Sequence, residues 1–285
     1  MKNLLKYGIG ILAVIVSIGL FVAGVKFDKE WIIALDCAII GAIIGAILGY
    51  LLTLAHDRRQ TGKRKEQYVR EIQLLTSAVL TQAEVCNNSI EEYRNNLKSA
   101  PHELHPLNQG VLVSIERLAK LDATMVYEAF ESKGKREDFN TFLNLIDQLL
   151  TAYTLTYEDY DEHDKDTASD INKFDDVEEL IRQACNATST NPMMKKIIAA
   201  YNEEHNKQKE MTLDIKLEYD TLIIPLKTYL ELNDKIPTCG LLENVERAEY
   251  LYQSICWHQR QFAAHLERRL KYINQTIEAI KKVML

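Results

Sequence analysis

The 285-residue sequence predicts an all-α protein: a two-helix transmembrane hairpin over 1–55, then a cytoplasmic helical bundle over 56–285 with long coiled-coil-like helices. Three observations carry this. Two long runs near the N-terminus are almost free of charge. Glycine and proline nearly vanish afterwards, leaving only Gly62, Gly110, Gly134 and Gly240 and five prolines as breaks. Between those breaks apolar residues recur at steps of three and four, with no strand-like alternation of useful length.

The hairpin comes first. Tyr7–Val25 carries no charge, and Trp31–Ala55 carries only Asp36. A helix needs about 20 apolar residues to cross the hydrocarbon core, so each run is long enough. The linker Lys26-Phe27-Asp28-Lys29-Glu30 allows only a tight turn. A cleaved signal peptide is the other reading of the first run, but the run is long for one and lacks an A-x-A site. Lys2 and Lys6 precede the first span, and Arg58, Arg59, Lys63, Arg64 and Lys65 follow the second. Positive residues stay inside, so both termini are expected in the cytoplasm, with the basic run on anionic headgroups. Gly41, Gly45 and Gly49 share one helix face and invite close packing, against the first span or against another subunit. Asp36 lies roughly 140–220° around the helix from them. It is a pore-lining candidate; the alternative is that it snorkels to the outer surface.

Charge separates the two parts. Residues 1–55 hold four basic and three acidic side chains, and the remainder holds 30 and 38, so +1 and −8. This argues against a plain soluble protein, a generally basic nucleic-acid binder and a disordered tail. Five scattered cysteines (37, 86, 185, 239 and 256) form neither a disulfide framework nor a metal knuckle.

The cytoplasmic helices follow in order. Tyr68, Ile72, Leu75, Val79, Val85, Ile90, Tyr93 and Leu97 mark a helix over 66–97, and the second span is free to run almost straight into it. Pro101–Gly110 reads as a loop. Segments 111–132 and 139–157 read as an antiparallel helix pair. Residues 158–179 hold eleven acids and two lysines and read as a solvated loop or an acidic face. Residues 176–189 read as a short helix, and Asn191-Pro192 as the start of another. Pro225 is expected to kink or split that helix. Leu241–Leu285 has no glycine or proline, and Val245, Ala248, Tyr252, Ile255, Phe262, Leu266, Leu270, Ile273, Ile277, Ile280 and Met284 form a stripe broken only across Gln259.

Chemistry is sparse. No P-loop, dinucleotide, zincin or hydrolase-elbow motif occurs, and no cofactor is expected. An EF-hand at Asp164 fails, with Ser169 where the glycine belongs and Asp175 where the glutamate belongs. His102 and His105 sit in a loop with no third ligand, so no metal is expected. The last helix carries Arg260, Arg268, Arg269, Lys271, Lys281 and Lys282 against Glu267 and Glu278. Arg260, Arg268, Arg269 and Lys271 are therefore ligand-binding candidates for phosphate; the alternative is pairing with the 158–179 acids.

Arg260-Gln-Phe-Ala-Ala-His265 fits R-x4-H and resembles the motif of HEPN ribonucleases, which are all-α. That resemblance implies catalysis by Arg260 and His265, meeting across a dimer. The whole layout, together with the stretch Leu121–Phe130, Ser132, Gly134 and Leu149…Tyr153, resembles the two-transmembrane effectors of bacterial anti-phage defence, such as SLATT-type proteins and Hailong-type channel effectors. This second resemblance implies a homo-oligomer in the bacterial inner membrane. It would be opened by a nucleotide or oligonucleotide signal that a partner enzyme makes. A membrane-anchored scaffold without activity of its own is the third reading.

Overall fold

The computed structural model describes residues 22, 30–187, 191–207, 215–233 and 240–285, without the side chains of 30–37, 39, 40, 43, 187 and 205–207. The described residues are helical with no strand, and several helices are long. The first predicted span, Val22 apart, and the linker as far as Lys29 lie outside the described residues. Among the described residues no helix is long and apolar enough to cross a membrane. The second predicted span is helical along its whole backbone, though many of its side chains, that of Asp36 included, lie outside the description.

Helix α1 is Glu30–Ser99. Short helices α2 (Val113–Ala119) and α3 (Ala123–Ser132) follow, then α4 (Asp138–Ala187) and α5 (Pro192–Lys207). Helix α6 (Ile215–Glu218) runs through a π-helical turn, Tyr219–Ile223, into α7 (Ile224–Leu232), and α8 is Leu241–Val283. The chain divides into two compact units, Met1–Tyr68 and Val69–Leu285.

In the first unit, the described side chains of α1 between Gly41 and Tyr68 are mostly exposed. No heavy atom of the described residues comes within 4 Å of where a Cβ would stand at Gly41, Gly45, Gly49 or Gly62. Thr53 donates its hydroxyl to the Gly49 carbonyl at 2.8 Å, and Arg64 bonds the Tyr68 hydroxyl one turn on.

The second unit has two cores. The first is a three-helix bundle of α1, α4 and α8. Its seams are Ile72, Val79, Ala83, Cys86, Ile90, Tyr93 and Leu97 on α1, Phe142, Ile146, Leu149 and Tyr153 on α4, and Ala263, Leu266, Leu270, Ile273 and Ile280 on α8. The bonds Lys98–Glu267 and Asn87–Asn274 run in opposite senses along α1 and α8, which makes that pair antiparallel. Tyr153 to Ala83 and Tyr160 against Tyr93 advance together, so α1 and α4 are parallel. The buried Tyr153 hydroxyl donates to the Ala83 carbonyl at 3.0 Å and lies 2.8 Å from Asn87 Oδ1. The second core joins the far ends of α4 and α8 to α5, α6 and α7 through Phe174, Ile181, Tyr201, Leu222, Leu226 and Val245.

As the sequence allows, the second predicted span is continuous with the 66–97 helix, and Gly62 does not interrupt α1. Two boundaries differ from the sequence reading. The 111–132 helix is two, because Asp122 takes extended backbone angles and caps α3 by accepting from the Thr124 N–H at 2.7 Å. The acidic stretch 158–179 is no loop: it is the middle of α4 and continuous with the predicted 176–189 helix. Its anchors are few but correctly spaced, with Thr167, Ile171, Phe174 and Val177 buried among the acids. Asn191 caps α5 as expected, accepting from the Met193 N–H at 3.0 Å. Pro225 lacks the N–H that would bond the Thr221 carbonyl, and the chain takes the π turn just before it.

Candidate functional site

Helix α1 ends at Ser99, whereas α4 and α8 continue beyond the level of its last turn to reach the second core. The stretch between the two cores is a waist, and the polar chemistry collects there. A groove of about 540 Å³ is lined by His163, Asp166, Thr167 and Lys173 of α4 and by His258, Phe262 and His265 of α8.

Two clusters build it. His163 stacks on Phe262, ring centroids 4.0 Å apart, and its Nε2 lies 3.1 Å from Oε1 of Gln259. Gln259 is only 2% exposed and occupies the core stripe itself. The break in the apolar stripe is therefore a buried amide with a partner. Burial pushes His163 below the ordinary imidazole range, offset by that hydrogen bond. Facing an amide oxygen, His163 Nε2 carries a proton and donates it to Gln259. One turn along, His265 Nε2 lies 3.0 Å from Asp159 Oδ2, and Arg269 Nη2 donates to the same oxygen at 3.1 Å. Arg269 Nε is also 3.3 Å from His265 Nε2. One nitrogen cannot serve both neighbours in one state. Carrying a proton it donates to Asp159; without one it accepts from Arg269. A carboxylate-oriented imidazole beside a groove has the form of a general base.

The sequence candidates fall into two sets. His265 lines the groove, and Arg269 pairs with Asp159 of the acidic segment, as one reading of the last helix expects. Arg260, Arg268 and Lys271 are exposed. None of these three makes a hydrogen bond or ion pair among the described residues, unlike Arg269. Arg260 and His265, five residues apart, stand about 140° apart around α8, so a single chain does not aim them at one point. Arg260, Lys271 and Lys282 recur every eleven residues and form a nearly straight stripe, with Arg268 at its flank. Lys271 and Lys282 also line a groove of about 600 Å³ between α1 and α8, with Arg94. The three carboxylates of that groove, Glu91, Glu267 and Glu278, are engaged by Arg94, Lys98 and Lys281. His105 bonds the Ala100 carbonyl at 2.8 Å, and His102 pairs with Glu103 at 3.3 Å. No group of metal-ligating side chains able to hold an ion occurs among the described residues. The side chain of Asp36 lies outside them.

The sequence reading missed His163, Gln259 and Asp159. The one visible signal was Gln259, a polar residue at a stripe position. Comparisons with protein-family models, curated proteins and solved structures found no match.

Proposed function

We propose that the protein is an oligomeric, membrane-tethered effector in which α8 senses a phosphate-bearing ligand, a nucleotide or short oligonucleotide made by a partner enzyme. The observation that carries this is the split among the basic residues of α8. The acidic segment of the same fold engages Arg269 and leaves Arg260, Arg268 and Lys271 exposed and without partners among the described residues. Uncompensated arginine and lysine on a rigid helix suit phosphate, which arginine grips through two N–H groups at once. The output belongs to the N-terminal region. Two apolar runs flanked by basic residues favour a hairpin with both termini inside, and the resemblance to two-transmembrane defence effectors supplies ion passage or membrane disruption as the consequence. Gly41, Gly45 and Gly49, with no atom of the described residues within 4 Å of their Cβ positions, suit close helix packing within the bilayer, and Asp36 remains the candidate for a cation-attracting ring.

A second reading has its own observation. His265 is oriented by Asp159 beside a groove, which suits a base in a membrane-tethered HEPN-like ribonuclease whose Arg260 would come from a second chain. Purified protein in liposomes separates the two. The effector reading expects dye or ion leakage that starts when a nucleotide or oligonucleotide panel is added, and that survives His265→Ala. Cleavage of RNA without leakage, lost in His265→Ala, establishes the ribonuclease instead. No leakage with any member of the panel, and no cleavage of RNA, leaves an anchored scaffold.

A further inference from the structure

We propose that the outward face of α1 between Leu74 and Asn88, with Val111 and Val113 beside it, is the surface on which a second copy of this chain docks. The inference rests on the oligomeric half of the reading above and gives it a place; ligand binding at α8 is not involved. Residues Leu74, Ala78, Thr81, Val85 and Asn88 are all exposed and follow one another at steps of four, three, four and three. That is the spacing of a coiled-coil seam, and it lies opposite the face that Ile72, Val79, Ala83, Cys86 and Ile90 turn into the chain's own core. The helix is thus two-sided, and its second side is exposed.

The loop after α1 widens the second face. Gln82 accepts from the Ser114 N–H at 3.0 Å, and its amide donates to the Val111 carbonyl. Both valines are thereby held beside the seam. Leu74, Val85, Val111 and Val113 are 73%, 61%, 69% and 61% exposed. With Ala78 and Thr81 they offer on the order of 500 Å² of apolar surface, as large as the biggest patch of a typical monomer and more than half of one side of a standard interface. The polar group at the centre of the patch is already satisfied, since the Thr81 hydroxyl donates to the Ser77 carbonyl at 3.1 Å, and the Asn88 amide lies at its end.

Charge argues for a second copy over a foreign partner. On α1 the flanks of the seam are Leu75, Gln82 and Ser89 on one side and Ser77 and Glu84 on the other, so between Leu74 and Ser89 Glu84 is the one charge beside it. A two-fold contact sets like against like, and a neutral patch meets itself without repulsion. Beyond the patch charges return, with Glu71 and Glu92 at the next seam positions and Arg70 beside the first, so the neutral apolar surface ends there. The contact is therefore a short crossing confined to this patch.

Thr81→Cys sits at the centre of the seam. In a full-length background with Cys37 and Cys239 changed to Ser, mild oxidation should convert most of the protein to a covalent dimer. Glu162→Cys, exposed on α4, is the control and should not cross-link. Adding Val85→Glu to Thr81→Cys buries a charge at the contact and should slow cross-linking about tenfold, with the helical circular dichroism unchanged. Cross-linking of Thr81→Cys no faster than the Glu162→Cys control overturns the proposal, whatever ligand the protein binds. A wild type that is monomeric by light scattering overturns both the proposal and the oligomeric reading, while leaving the α8 ligand site standing.

Discussion

Gly110→Ala is the substitution for which the structure dictates the most specific outcome. A Cβ at position 110 would stand 2.3 Å from Cys86 Sγ and 3.2 Å from the Tyr157 hydroxyl. A relaxed carbon–sulfur contact needs roughly 1.3 Å more than the first distance, in a core that packs like a molecular crystal. Cys86 is 1% exposed and has little room to turn away. The Gly110 N–H also donates to the Tyr157 hydroxyl at 3.0 Å, so moving the loop away costs that bond as well. Overpacking of this kind costs about 1–3 kcal/mol, and the lost hydrogen bond about 1 more. The remedy is equally specific. Cys86→Ala removes Sγ and leaves Cys86 Cβ as the nearest carbon, at an ordinary 3.5 Å. Alone, Cys86→Ala should cost about 1 kcal/mol for the small cavity. The double variant should be more stable than Gly110→Ala by itself, with a coupling of about 1–2 kcal/mol in a double-mutant cycle measured by urea denaturation. Additive losses would refute the reasoning, because they would mean that Gly110 and Cys86 do not compete for the same space.

Two further outcomes follow from buried or paired charge. Glu178 is 6% exposed, and burial holds its carboxyl above the usual glutamate range; its Oε1 makes no hydrogen bond and lies 3.6 Å from Arg182 Nε. A carboxyl raised in the folded state favours folding below its unfolded pKa, near 4.3, and loses that contribution as pH climbs through the folded value. Glu178→Gln should therefore raise the melting temperature by about 2–4 °C at pH 7–8 and by nothing below pH 4; scanning calorimetry at the two pH values checks it, and an equal shift at both contradicts it. Arg269→Ala should destabilise by about 1 kcal/mol through Asp159 and His265, whereas Arg268→Ala should change stability by less than about 0.5 kcal/mol, as thermal melts of the two variants at low salt will show.

Helix identity was legible in the sequence because the breaks are few and chemically plain. Asn191-Pro192, Pro225 and Gly240 each mark a real boundary. The central part of α4 was not legible, because eleven acids outnumber the four buried anchors that make 158–179 a core helix. Composition registers the acids; only tertiary burial registers Thr167 and Phe174. The split of 111–132 was likewise hidden, since Asp122 is one cap among many possible aspartates. The basic face of α8 could be read directly, but which arginine meets an acid could not. That depends on Asp159 and Arg269 facing each other across two helices 110 residues apart in sequence. The waist was invisible for the same reason: His163 and Gln259 are ordinary polar residues until α4 and α8 bring them to 3.1 Å. Gly110 offered no signal at all, because nothing local forecasts that Cys86 and Tyr157 will close around it.

The central claim is that α8 reads phosphate through Arg260, Arg268 and Lys271, and fluorescence anisotropy with a labelled short oligonucleotide tests it most directly. The full-length protein in detergent should bind with an affinity that falls as salt rises, the mark of phosphate contacts. Replacing Arg260, Arg268 and Lys271 together by Ala should weaken binding by about tenfold or more and flatten the salt slope, with the melting temperature unchanged because none of the three holds the fold together. Unlabelled nucleotides of the panel should compete with the probe. Equal affinity and equal salt slope for the wild type and the triple variant would contradict the account.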